Sequence, residues 1–83
     1  MAIRLRFFAS LREALGPGEE LAVEPGLTLG RLRVQLAARG GAYAQRLGEG
    51  RAVRGAVDQV MADDATPVPD GAEVAFFPPV TGG

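Results

Sequence analysis

The chain has 83 residues, a net charge of −1, 47% hydrophobic residues and 23% charged ones, which describes one small domain, too apolar and too neutral for a disordered polymer. It contains no His and no Cys, and all nine basic residues are Arg. Structural zinc, iron–sulfur clusters, thiol and imidazole catalysis, Schiff-base chemistry and a P-loop are thereby excluded, and no strongly basic footprint for nucleic acid exists.

Residues 2–9 alternate, with Ile3, Leu5 and Phe7 on one side and Arg4, Arg6 and Phe8 on the other. This is the pattern of a half-buried strand. Ser10-Leu11-Arg12-Glu13 reads as a capping box opening a short helix, which Gly16-Pro17 ends. Glu20–Glu24 alternates again and predicts a return strand antiparallel to the first. Thr28 is the expected N-cap of a helix from Leu29 to about Arg39, with Leu29, Leu32 and Leu36 on one face and Val34 off it. Gly40-Gly41 closes that helix. Residues 42–51 are ambiguous, although Tyr43 and Leu47 are spaced for one helical turn.

Ala52–Val57 then reads as a strand, Asp58-Gln59 as a turn, Val60–Ala62 as a short return strand and Glu73–Phe77 as the last strand. Pro78-Pro79 stops further pairing. One main helix packed on one face of a mixed sheet is an α+β solution. This element order suggests the ubiquitin-like β-grasp, with first and last strands as parallel central neighbours. The expected division is a domain over 1–77 and an extended, flexible C-terminal tail over 78–83. No apolar run approaches the ~20 residues of a membrane span. Met1–Arg4 leads straight into a strand, without a signal-peptide layout, so a cytoplasmic protein with no membrane partner is expected.

Most candidate motifs reduce to ordinary loops. Gly16-Pro17-Gly18 and Gly48-Glu49-Gly50 start like a dinucleotide fingerprint, but Leu21 and Val53 occupy the place of the third glycine. Asp58, Asp63, Asp64 and Asp70 lack calcium-loop spacing and read as turn residues. No metal site and no bound cofactor are expected.

The C-terminus is different. Pro78 and Pro79 favour an extended, pre-stiffened run. Gly82 and Gly83 carry no side chain, so their backbone passes where a Cβ would collide. Fully extended, residues 78–83 reach roughly 20 Å. On the residues alone, an inserting tail and a merely frayed end both stay open. The aromatic pairs add to the picture. Phe7 and Phe76 fall on the core phase of their strands, and Phe8 and Phe77 on the opposite phase. Parallel pairing of first and last strands would set Phe8 and Phe77 side by side at the base of the tail, where an exposed pair suits docking.

The start Arg6-Phe7-Phe8-Ala9-Ser10-Leu11-Arg12-Glu13 and the end Phe76-Phe77-Pro78-Pro79-Val80-Thr81-Gly82-Gly83 resemble the small, sulfur-carrier subunits of molybdopterin synthase. Residues 40–55 match only loosely, and Asp58 stands where family members often carry Asn. The resemblance implies a sulfur carrier of molybdenum cofactor biosynthesis that is not catalytic alone. A ubiquitin-activating-type adenylyltransferase, using ATP, would adenylate Gly83. A persulfide sulfur would then replace AMP to give a thiocarboxylate. The large synthase subunit would accept the tail and pass the sulfur to its substrate, a cyclic pyranopterin monophosphate. In this scheme Gly83 reacts, Gly82 gives clearance, and Val80, Thr81, Pro78 and Pro79 insert with it. Phe8 and Phe77 anchor docking, with Met61 as a third apolar contact. Other readings are a carrier for thiamine or transfer-RNA thiolation, a ubiquitin-like modifier, or an interaction module that binds through Phe8 and Phe77 with an inert tail.

Overall fold

The structure is a computed structural model that describes residues 1–79. The expectations placed on Val80, Thr81, Gly82 and Gly83 lie outside the described residues. Eight elements follow in order: β1 (Ala2–Phe7), α1 (Ala9–Leu15), β2 (Gly18–Ala22), α2 (Leu29–Ala37), α3 (Gly41–Leu47), β3 (Arg54–Val57), β4 (Val60–Ala62) and β5 (Glu73–Phe77). The five strands form one sheet in the order β2-β1-β5-β3-β4. β1 and β5 are parallel central neighbours, in the register Arg4↔Glu73 through Phe7↔Phe76. The other pairs are antiparallel.

The alternation of β1 becomes a strict one, with Ile3, Leu5 and Phe7 buried and the residues between them exposed. α2 covers this inner face with buried Leu29, Leu32 and Leu36. Thr28 caps it as expected, its Oγ1 accepting from the Arg31 N–H at 3.3 Å. α2 comes so close to β3 that a Cβ at Gly55 would lie 2.7 Å from the Leu29 Cδ2. Phe7 stacks on Phe76 at 6.3 Å between ring centroids and meets Tyr43 edge-on at 6.4 Å. The core thus runs from the two central strands into α3. Val34, off the apolar face, is 69% exposed.

Five sequence expectations shift. The Ser10/Glu13 capping box does not form: the N-cap of α1 is Phe8, with no side-chain cap bond. The reason lies in β1. Phe8 still donates its N–H to the Phe76 carbonyl at 3.1 Å, so the chain stays on the sheet one residue longer. It then turns at Ala9, at φ 53°, and the Phe8 carbonyl accepts the N–H groups of Leu11 and Arg12. β2 begins at Gly18 rather than Glu20, because Gly18 reaches φ 125° and lies opposite Arg6. α2 stops two residues early, at Ala37. The ambiguous stretch holds a second packed helix, α3, whose Gly40 N-cap offers no side-chain signal. β3 starts at Arg54 instead of Ala52, whereas β4 and β5 have their expected bounds.

Long side chains tie the layers together. Arg33 of α2 donates to the carbonyls of Leu47 (2.8 Å) and Gly48 (3.2 Å) at the end of α3, and to that of Arg51. Arg39 reaches Glu19 of β2 and lies 4.9 Å from the Tyr43 ring centroid. Its pKa is held above its ordinary value, chiefly by the hydrogen bond to Glu19, with Tyr43 adding to the effect and burial opposing it. Among the described residues, no helix is long and apolar enough to cross a membrane.

Candidate docking face and tail base

The outer face of the sheet, opposite α2, is built from the residues between the core positions. Strand register arranges them in rows. One row is Gly18, Arg6, Ala75, Ala56 and Met61, read across β2, β1, β5, β3 and β4. The next row, toward the chain's end, places Phe77 opposite Arg54. Phe8 follows Phe7 in extended conformation (φ −127°, ψ 159°), so it takes the outer side beside Phe77.

The sequence-predicted anchors therefore share one face: Phe8 and Phe77 lie side by side at its tail end, and Met61 lies one row back, on the edge strand β4. Phe8 is 41% exposed and Met61 58% exposed, while Phe77 is half-buried. α1 does not bury Phe8; its own buried contact is Leu11. Ala75 is half-buried and Ala56 is 7% exposed, and together they floor the space between Phe77 and Met61. The sequence reading missed Ala56 as part of this surface. Its signal was the alternation of β3, which places it in phase with Arg54.

Cations flank the apolar residues. The Arg6 guanidinium lies 5.8 Å from the centroid of the Phe8 ring, within cation–π range. It also pairs with Glu73 at 4.0 Å. Arg54, beside Phe77, is exposed. The face thus combines apolar side chains that water solvates poorly with hydrated guanidinium groups at their side.

β5 points at this end of the molecule. Its last residue is Phe77, and Pro78 and Pro79 follow outside any strand, both half-buried. The base of the tail is therefore partly held against the domain. The predicted roles of Val80, Thr81, Gly82 and Gly83 fall beyond the described residues.

The acidic residues do separate jobs in the loops. Asp58 Oδ1 accepts from the Glu73 N–H at 2.9 Å, and Asp70 Oδ1 from the Ala2 N–H at 2.9 Å. Asp63 Oδ1 accepts from the Ala65 N–H and the Thr66 hydroxyl. These carboxylates satisfy turn donors. Among the described residues, no group of three or more potential ligands gathers for a metal.

A mixed sheet with parallel central β1 and β5, one long helix across its inner face and a C-terminal strand leading out beside an apolar patch defines a ubiquitin-like β-grasp protein. Residues 5–83 match the ThiS family. The chain is 40% identical over 81 residues to the molybdopterin synthase sulfur carrier subunit of Escherichia coli, covering 98% of this chain and 99% of that one. A Haloferax volcanii protein solved in solution superposes with a TM-score of 0.83 at 34% identity, over 100% of this chain and 87% of that one. A Helicobacter pylori chain, from the complex of subunits 1 and 2 of molybdopterin-converting factor, superposes with a TM-score of 0.71 at 25% identity, over 100% of both. The chain belongs to the ThiS family, alongside the sulfur carrier subunits of molybdopterin synthase.

Proposed function

We propose that this chain is the sulfur carrier of a molybdopterin synthase, and that its reagent is the carboxyl group of Gly83. The observation that carries the reading is the shared location of two features. The apolar Phe8/Phe77 pair and the exit of β5 into Pro78-Pro79 lie at one end of the sheet, with Met61 on the same face one row back. A partner docked on that face receives the tail at the same time. The Escherichia coli relative, a molybdopterin synthase sulfur carrier subunit, weighs toward the pyranopterin pathway over thiamine or transfer-RNA thiolation. The Helicobacter pylori complex of two subunits supports a large-subunit partner.

The chemistry divides between this chain and its partners. A terminal carboxyl is ionised at neutral pH and is a poor electrophile. An adenylyltransferase of the ubiquitin-activating type joins it to AMP from ATP, releasing pyrophosphate. The terminal sulfur of a persulfide then attacks the acyl carbon, and AMP leaves. A thiol cleaves the S–S bond, and the thiocarboxylate remains. In the large subunit, that soft sulfur would attack a carbon of the cyclic pyranopterin monophosphate and displace an oxygen substituent. Water would then cleave the bond between the sulfur and the Gly83 carbonyl, leaving the sulfur on the pterin and returning Gly83 as a carboxylate. This chain contains neither His nor Cys, so the acid, base and persulfide groups come from the partners. Its own contribution is position. Phe8, Phe77 and Met61 dock, the two prolines stiffen the approach, and Gly82 admits the backbone to a narrow channel.

Removal of Gly82 and Gly83 tests this division. Binding of the large subunit through the sheet face is expected to persist, measured by calorimetry, while sulfur transfer is lost. Undiminished pyranopterin conversion by the shortened chain contradicts the role of Gly83.

A further inference from the structure

An activated acyl terminus reacts with any good nucleophile that reaches it, and amines compete with sulfur. Self-acylation joins the nitrogen to the Gly83 carbonyl carbon. The bond from that carbon to its leaving group breaks, the leaving group departs with the electron pair, and the amine loses a proton to solvent. The 83 residues contain no lysine and no cysteine; the basic side chains of Arg4, Arg6, Arg12 and Arg54 near the tail end and on the outer face are all guanidinium groups. A guanidinium stays protonated and is no nucleophile at neutral pH. The hydroxyls of Ser10, Thr28, Tyr43, Thr66 and Thr81 need an activating base, and the chain has no His to supply one.

One amine is left, at Met1, and the topology places it badly for attack. Because β1 and β5 are parallel, Met1 sits at the end of the sheet where β5 begins. The tail leaves from the other end. The length of β1, at ~3.3 Å per residue, separates them by roughly 20 Å. That distance equals the whole extended reach of residues 78–83, roughly 20 Å, before any of it is used to reverse direction.

We infer that this carrier is a donor without an acceptor in its own chain: once its terminus is activated, no competent amine of the same chain lies within the tail's reach, so the acyl group is kept for sulfur or water and does not cyclise. The inference rests on the reading that the terminus is activated, but it is tested independently of any adenylyltransferase. The full chain is prepared with a C-terminal thioester, alone and with Arg54→Lys, which places an amine beside Phe77 at the tail's base. Arg12→Lys serves as a second variant, and ethylamine added to the wild-type thioester shows that it is reactive. Intact mass and denaturing electrophoresis follow the products.

The wild-type thioester is expected to decay to the free acid. In at least one variant, a species one water lighter than the acid is expected to exceed the wild-type level at least about tenfold, as effective concentration near the tail requires. Amide products from the wild type at the variants' level overturn the inference, as do variants that both hydrolyse without forming amide. Failure of the terminus to exchange oxygen for sulfur is a separate result that bears on the proposed function.

Discussion

At the scale of single residues, the outer face turns on Phe8 and Phe77, and their exposure follows from strand phase. Phe7 and Phe76 are 2% exposed and stacked in the core, and each chain neighbour projects the other way. Phe77→Ala is expected to weaken binding of the large subunit by at least ~1 kcal/mol, measured by calorimetry, and an unchanged dissociation constant removes the docking role. Gly18 has a different task. Its φ of 125° is closed to ordinary residues, and a Cβ there would collide with the Leu5 carbonyl oxygen of the partner strand. Gly18→Ala is expected to cost more than about 1 kcal/mol in urea unfolding. A stability equal to the wild type's would show that β2 can start later, near Glu20, as its alternation suggests.

Among elements, the β3–β4 hairpin carries Met61 and reverses in two residues. Asp58 and Gln59 both take positive φ, 49° and 67°, the signature of a two-residue type I′ turn. Asp58 exchanges backbone and side-chain hydrogen bonds with Glu73, which moors the turn to the start of β5. Gln59→Gly is expected to stabilise the domain by about 0.4–1 kcal/mol, because glycine occupies that conformation without strain. A lower midpoint in thermal or urea unfolding contradicts the turn assignment. Thr28→Ala removes the cap of α2 and is expected to cost about 1 kcal/mol. Elements with a period or a side-chain signal were legible in the sequence: the phases of β1 and β5, the bounds of β4 and β5, and the Thr28 cap. What escaped it depended on tertiary partners. Ser10 was a plausible cap, but the β1–β5 ladder claimed Phe8 and moved the turn to Ala9. α3 starts at paired glycines, and its order comes from Tyr43 against Phe7 and from Arg33 closing its last carbonyls. Ala56 reveals its place on the docking face only through its register opposite Ala75 and Met61.

For the whole molecule, the parallel pairing of the first and last strands sets the geometry. It puts the C-terminal exit in the middle of the sheet rather than at an edge, next to the apolar patch and at the pole opposite Met1. On the proposed function, the domain positions a terminus whose chemistry other proteins finish. A chain extended past Gly83 is therefore expected to keep its fold, by circular dichroism and unfolding midpoint, and to lose thiocarboxylation entirely. The most direct measurement is the intact mass of the 83-residue chain after incubation with an activating enzyme, ATP and a sulfur donor. It should rise by the difference between one sulfur and one oxygen atom, with the increment confined to the C-terminal peptide. A mass that stays constant under full reconstitution, or an increment found elsewhere in the chain, contradicts the account.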